Sequence, residues 1–257
     1  MRRLRIANRA CIIAQHKPIS FLSPSTEPRG NKRYARDLLM RNNLRGRGWT
    51  RDGEPRDLPA LSCAGRLDAD SSGLLLWTDD AALAQYIIGP DTPVEKEYLV
   101  RVSGQANYTF AQLDDALRLL QSGIALDGAP LMAADVSWAN ESQLKFVLRE
   151  GRHRQIRRML TVVGLNVEAL KRVRIGKLRL GGLAPGHWSP LSPANAASLL
   201  LPSYRSASEP ATALPDKAAR RGPQEETPRR RRSHQTREQR KVAHMVAQQS
   251  SKTGSDM

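Results

Sequence analysis

Two of the four carboxylates in the segment GRLDADSSGLLLWTDD, residues 65–80, lie just ahead of a run of apolar residues. Asp68 follows Arg66 by two positions, and Asp70 opens the polar sequence Asp70-Ser71-Ser72. A carboxylate can act as a nucleophile or as a general base. Aspartate at such a position is also a common cap of a helix or turn. The residues alone leave both interpretations open for Asp68, whereas for Asp70 they favour a cap.

Basic side chains are concentrated in a second segment, GRHRQIRRMLTVVG, residues 151–164. Its apolar residues recur with helical spacing at Ile156, Met159, Leu160 and Val163. This spacing predicts one face packed on a core, with the arginines on the remaining faces. The basic face is either simply solvated or contacts phosphates, with one arginine directed inward. The preceding glycine and the net charge of the chain favour phosphate contacts, whereas His153 alone indicates only a surface or hydrogen-bonded histidine.

The composition narrows the class of partner. The chain has 257 residues and a formal net charge of +16, with 40% hydrophobic residues. Such a surplus favours a polyanion, because neutralising phosphates releases counterions. No apolar run approaches the ~18–20 residues that span a bilayer, and the apolar stretch ACIIA near the N-terminus is too short for a secretory signal. We therefore predict a cytoplasmic protein that binds nucleic acid and does not enter a membrane.

The two cysteines, Cys11 and Cys63, form no C-x-x-C motif, and no histidines are paired at ligand spacing. We predict free thiols in a reducing compartment and no metal site.

The composition changes after about Tyr204. Residues 205–257 have no aromatic residue and carry twelve Lys/Arg against six Asp/Glu, a charge of +6 that leaves +10 for residues 1–204. We predict a disordered basic tail over 205–257, because so few apolar groups cannot offset chain entropy. Residues 1–204 are predicted to form the folded domain, with a long basic loop over 24–60.

The strands and helices predicted from the sequence indicate an α+β fold with a mixed, mainly antiparallel sheet and flanking helices. Strands are predicted near 10–15, 19–22, 73–78, 95–104, 124–127, 131–138, 142–149, 166–171 and 174–180. Helices are predicted over 34–40, 81–88, 110–123 and 152–163. Asp79 and Thr109 are the expected N-caps of the second and third helices.

Four segments, taken together, resemble a known family. They are HKPISFLS (16–23), AGRLDADSSGLLLWTDD (64–80), EKEYLVRV (95–102) and EGRHRQIRRML (150–160), and they occur in this order. The set closely resembles the RsuA-type pseudouridine synthases, the branch that modifies ribosomal RNA, over about residues 10–193. Ser20 departs from the family pattern, which has glycine there. We also expect the S4-type RNA-binding domain of many relatives to be absent, and the loop over 24–60 is longer than expected.

The resemblance implies isomerisation of uridine to its C5-glycoside without cofactor or metal. It implies that Asp68 is the catalytic residue, that Tyr98 stacks on the target base or moves a proton at C5, and that Arg157 pairs with Asp68. Without it, Tyr98 would be taken for an ordinary half-buried strand tyrosine. Whether Asp68 attacks the sugar, attacks the base or removes a sugar proton stays open. The uridine must leave its stack to reach such a site.

The expected RNA contacts are Lys17, Arg66, Arg152, Arg154 and Arg158.

The expected substrate is ribosomal RNA, with the 23S species favoured by the E-K-E-Y segment and the expected absence of an S4-type domain. We expect a monomer. The alternatives are a synthase acting on 16S or transfer RNA, and a non-catalytic RNA-binding or ribosome-assembly factor. The set Asp68, Tyr98 and Arg157 argues against a pure binder, because an uncompensated carboxylate would repel RNA.

Overall fold

The computed structural model describes residues 6–7, 9–23, 31–89 and 91–201. The predicted tail over 205–257 and the first part of the predicted loop, 24–30, lie outside these residues. Among the described residues, no helix combines the length and the hydropathy that a membrane span requires.

The strands in chain order are β1 (Ile12–Lys17), β2 (Ser62–Cys63), β3 (Ser71–Thr78), β4 (Lys96–Ser103), β5 (Ala125–Leu126), β6 (Ala129–Pro130), β7 (Asp135–Asn140), β8 (Gln143–Leu148), β9 (Asn166–Ile175), β10 (Leu178–Arg179) and β11 (Trp188–Pro190). The α-helices are α1 (Ala81–Ile88), α2 (Phe110–Ser122), α3 (Gln155–Val162) and α4 (Pro193–Leu200). The main sheet has the order β11-β1-β3-β9-β4-β8-β7, with β2 and β10 added beside β3 and β9. Strands β5 and β6 form a separate hairpin.

The sheet is antiparallel except where β3 runs parallel to β9. The predicted mixed, mainly antiparallel α+β fold is therefore confirmed. At the parallel contact, Gly73 has φ +112°, and a Cβ built on it would lie 2.2 Å from the carbonyl oxygen of Arg172. Only glycine allows this approach. Gly73, the glycine of the D-x-x-S-x-G pattern, therefore allows β3 to pair closely with β9.

Strand β3 is buried on both faces, which explains its unbroken apolar run. Leu74 and Leu76 pack into one core with residues of α1 and α4. Leu75 and Trp77 face a second core, which the segment 31–61 covers. Residues 31–60 of the predicted long loop therefore form a packed layer that contains three short 3₁₀ helices, Ala35–Leu38, Arg41–Asn43 and Pro55–Asp57. The first of them replaces the longer helix predicted over 34–40.

The predicted positions of α1 and α2 agree with the structure, but the predicted N-cap of α1 is wrong. Asp80, not Asp79, caps α1, because its Oδ1 accepts a hydrogen bond from the Leu83 amide at 3.0 Å. Asp79 instead accepts from the Cys11 amide at 2.7 Å. Thr109 caps α2 as predicted.

Several other predicted boundaries change. The predicted strand over 19–22 is reduced to an isolated bridge at Leu22, and the helix predicted from residue 152 begins at Gln155. The two strands predicted within 166–180 are the long strand β9 and the short strand β10.

Candidate active site

Asp68 and Asp70 lie on the loop of residues 64–70 between β2 and β3, and the segment after β1 holds this loop. The Ser23 hydroxyl donates to the Leu67 carbonyl at 2.7 Å and accepts from the Leu67 amide at 2.8 Å. The Ser20 amide donates to the carbonyl of Ala69 at 2.8 Å. Ser20, the departure from the family glycine, has φ +69°, a left-handed conformation that favours glycine. The turn is therefore kept, with backbone strain at the serine.

Arg172, on β9, holds the other end of the loop. Its buried guanidinium donates to the Leu74 carbonyl at 2.7 Å and to the Gly65 carbonyl at 3.0 Å. Sequence reasoning missed this residue because it fell between two predicted strands. Arg172 could have been found from its position two residues after Leu170, because alternate residues of a strand lie on the same face.

A cavity of about 470 Å³ opens above this loop and brings most of the predicted residues together. The predicted site residues on its wall are Asp68, Tyr98, Arg157, Arg66, Arg152 and Arg154. Its apolar lining includes Leu67, Ile88 and Ile156. This volume lies in the range of small-molecule sites.

The ion pairs in this cavity differ from the predicted ones. Arg154 reaches both carboxylates, with its Nη1 3.6 Å from Asp68 Oδ2 and its Nη2 3.1 Å from Asp70 Oδ2. Arg157 Nη2 lies 3.2 Å from Asp70 Oδ1 and also donates to the Asp70 carbonyl at 3.0 Å. The predicted pair between Arg157 and Asp68 is therefore wrong, because Arg157 binds both the side chain and the backbone of Asp70. The Arg157 Nε atom is buried and has no hydrogen-bond partner among the described residues.

Asp70 does not cap a helix, because strand β3 begins at the next residue. Its partial burial favours the neutral acid, but the hydrogen bond from Arg154 and the charges of Arg157 and Arg154 outweigh this effect and lower the pKa of Asp70. Asp70 is thus an ionised anchor for the two arginines. Asp68 has a 35% exposed side chain and only the longer contact to Arg154, so it remains open to a bound molecule.

Arg154 adopts an unusual backbone conformation at the start of α3. It is the N-cap residue and has φ +50°, in the left-handed region that non-glycine residues rarely adopt. Such strain is commonly found at functional positions. Here it accompanies a side chain that bridges the two aspartates of the loop.

Tyr98 lies on β4, half-buried, and packs against the core that contains Leu67. Its ring lines the cavity. Its hydroxyl has no hydrogen-bond partner among the described residues, so it is available to a ligand.

The structure overturns one predicted RNA contact. Lys17 is fully buried, and its ammonium donates to the carbonyls of Pro18 and Phe21. Its role is to hold the turn that carries Ser20, and it is out of reach of RNA. Burial, partly offset by the charges of Asp68 and Asp70, lowers the pKa of Lys17 to about 8.

The other predicted RNA contacts remain predictions, although two more of the arginines, besides Arg154, have partners within the protein. Arg158 lies outside the cavity wall and donates to the Asp127 carboxylate. Arg152 donates to the Pro130 carbonyl at 2.7 Å. Both therefore tie the hairpin of β5 and β6 to the start of α3. Arg66 is exposed.

Comparison with known proteins agrees with this architecture. The family described as RNA pseudouridylate synthase matches residues 12–161. A relative from Aquifex aeolicus (strain VF5), named as an uncharacterized RNA pseudouridine synthase, is 35% identical over 179 residues, which are 69% of this chain and 66% of the relative. A ribosomal large subunit pseudouridine synthase B from Yersinia pestis is 34% identical over 185 residues, 70% of this chain and 52% of the relative. This chain therefore spans between about half and two thirds of the length of these curated relatives.

A solved crystal structure of a pseudouridylate synthase is similar in fold, with a TM-score of 0.58 and 24% identity over 76% of this chain and 75% of that chain. The predicted fold is the one observed in that structure. With the match over residues 12–161, these findings show that the chain belongs to the RNA pseudouridylate synthase family.

Proposed function

We propose that this protein isomerises a uridine of ribosomal RNA to pseudouridine and that Asp68 is its catalytic residue. The observation that carries the proposal is the position of Asp68, a partly exposed carboxylate that lines the cavity together with Tyr98. Arg154 Nη1 lies 3.6 Å from Asp68 Oδ2 and leaves the carboxylate open to a bound molecule.

Isomerisation of uridine conserves every atom. The bond between N1 and C1′ breaks, the uracil turns, and C5 joins C1′ while the proton on C5 is lost and N1 gains one. Asp68 would act on the sugar or the base, and Tyr98 would stack on the base or move the proton at C5. The apolar lining would limit the access of water to the cleaved intermediate.

The basic surface around the cavity supports an RNA substrate. Arg66, Arg152 and Arg154 lie on the cavity wall, and arginine binds phosphate oxygens well because its guanidinium is planar and always charged. Phosphate contacts position RNA but do not select a base. The cavity must therefore select the uridine, and we expect exposed arginines to set mainly the affinity and its dependence on salt.

The 23S species is the proposed ribosomal substrate. The relative from Yersinia pestis is named for the large ribosomal subunit, which supports this choice over 16S and transfer RNA. We further propose that the protein acts in the cytoplasm as a monomer.

The test compares wild type with Asp68→Asn on 23S, 16S and transfer RNA, with carbodiimide mapping of pseudouridine and a separate measurement of RNA binding. Asparagine keeps the shape of the side chain but removes its charge, so we expect isomerisation to be lost and binding to be nearly unchanged. Asp135→Asn, at an exposed position on β7, is the matched control. An Asp68→Asn variant that isomerises uridine as fast as wild type would refute the assignment. A wild-type protein that binds RNA without modifying any uridine would favour the non-catalytic alternative.

A further inference from the structure

Lys96 is a buried cation in the wall of the cavity, and sequence reasoning did not single it out. It lies on β4, two residues before Tyr98, so strand alternation places both on the same face. Only 8% of Lys96 is exposed. Its ammonium makes no hydrogen bond or ion pair with any residue that the structure describes.

The surroundings of Lys96 destabilise the charged form of its ammonium. Burial and the neighbouring positive charge of Arg172 lower its pKa to about 8. A buried charge without a partner destabilises a fold, and an apolar side chain of similar volume would be the simpler choice there. Two other cations of the cavity wall already have partners, since Arg154 contacts Asp68 and Asp70, and Arg157 contacts Asp70. Lys96 is therefore a buried cation of this wall that has no partner among the described residues and whose charge is left for a ligand.

A phosphate of the RNA backbone is a poor candidate for that ligand. Arg66 and Arg154 are exposed at the same cavity and are placed to meet phosphates, whereas Lys96 is almost completely covered. A flipped base is the part of an RNA that would enter the cavity. The group that faces Lys96 should accordingly belong to the base.

The chemistry of the base supplies a negative charge. When the bond between N1 and C1′ breaks, its electron pair stays on the uracil, which becomes an anion delocalised over the ring nitrogen and the carbonyl oxygens. If a nucleophile adds instead to C6, the electron pair of the C5–C6 double bond again moves into the ring and towards O4. Every route left open for Asp68 therefore places negative charge on the uracil in the transition state.

We propose that Lys96 contacts the uracil inside the cavity and stabilises the negative charge that develops on it, a proposal that rests on the proposed function. A fixed cation in a site that excludes water stabilises such charge more strongly than water does. Lys96 would thus act on the base, while Asp68 acts at the bond to be broken.

The test is the single-turnover rate at which wild type and Lys96→Met break the bond between N1 and C1′ at saturating RNA, with either uridine or 5-fluorouridine at the target position. Because 5-fluorouridine has no proton on C5 to lose, it is scored by this bond breakage and not by formation of pseudouridine. Methionine removes the charge at similar volume. We expect a rate loss of about 100-fold with uridine, the scale seen when one group that stabilises a transition-state charge is removed. Fluorine withdraws electrons and makes the uracil anion more stable, so the loss with 5-fluorouridine should be clearly smaller. RNA affinity should change little, and Lys96→Arg should recover part of the rate.

Two controls separate this role from a structural one. Lys96→Met should be at least as stable as wild type, because it removes a buried charge, and Lys96→Gln gives the same comparison if methionine disturbs the fold. Lys177→Met removes an exposed lysine outside the cavity and should match wild type with both substrates.

Three results would overturn the proposal. They are an unchanged rate in Lys96→Met, an equal loss with both substrates, and a loss that higher RNA concentration restores, which would indicate a phosphate contact. Wild type that forms no pseudouridine at all would refute the proposed function itself, and the role of Lys96 with it.

Discussion

The pairing of Arg157 with Asp70 instead of Asp68 can be tested by a double-mutant cycle. The cycle combines Arg157→Gln with Asp70→Asn, and a second cycle combines Arg157→Gln with Asp68→Asn. The aspartate substitutions remove a charge at nearly constant size, and Arg157→Gln removes the guanidinium charge with a shorter polar side chain. The contacts of Arg157 with backbone carbonyls are lost in both the single and the double variants, so they cancel in the coupling energy.

The structure sets the expected magnitude. Arg157 Nη2 and Asp70 Oδ1 are 3.2 Å apart, with side chains 15% and 46% exposed. Exposed ion pairs contribute roughly 0.2–1 kcal/mol, while breaking a fully buried pair costs roughly 3–5 kcal/mol. The exposure of Asp70 places this pair near the lower range, and we expect a coupling of about 1 kcal/mol. For Asp68, which Arg157 does not contact, the coupling should stay within roughly 0.3–0.5 kcal/mol of zero.

The assay is urea unfolding of wild type and the single and double variants of both cycles at neutral pH. The pKa of Asp70 is lowered in the folded protein, so its contribution to stability is present above its unfolded pKa. That contribution is lost as pH falls through the lowered folded pKa, and the coupling should disappear with it. A coupling of Arg157 with Asp68 that equals or exceeds the one with Asp70 would refute the pairing seen here.

Two further perturbations test the segment after β1. Ser20→Gly should raise the free energy of unfolding by about 1 kcal/mol, because a left-handed conformation costs a non-glycine residue roughly 1–2 kcal/mol. The control Ser62→Gly, at a strand position, should lower the free energy of unfolding. Equal effects of the two substitutions in urea unfolding would contradict the strain at Ser20. The pKa of Lys17 falls from 10.5 to about 8 on folding, so the folded state binds its proton less tightly and Lys17 contributes a rise in stability with pH across that range, which the raised pKa values of the Cys11 and Cys63 thiols oppose above pH 9. Lys17→Met should show a smaller rise, to which Lys96 still contributes, and an undiminished rise would show that Lys17 is not desolvated.

The sequence by itself determined the features that depend on neighbouring residues. Helices α1 and α2 follow from apolar spacing and from local caps, and the apolar run of β3 follows from burial on both faces. The order of the four motif segments identified the family, and with it Asp68 and Tyr98 as candidates. These inferences need only short-range patterns, so they could be made without knowing where the strands lie in the sheet.

Only the tertiary structure decided which charged groups meet. The spacing of α3 put Arg154 and Arg157 outside the apolar stripe but could not say which carboxylate each would reach, because that depends on how α3 lies against the loop before β3. Lys17 was predicted to meet RNA, and it is buried because the chain turns back over its ammonium. Arg172 and Lys96 reach the cavity through the pairing of β9 with β3 and β4. Distances between residues far apart in the chain are set by sheet order and packing, and no local periodicity encodes them.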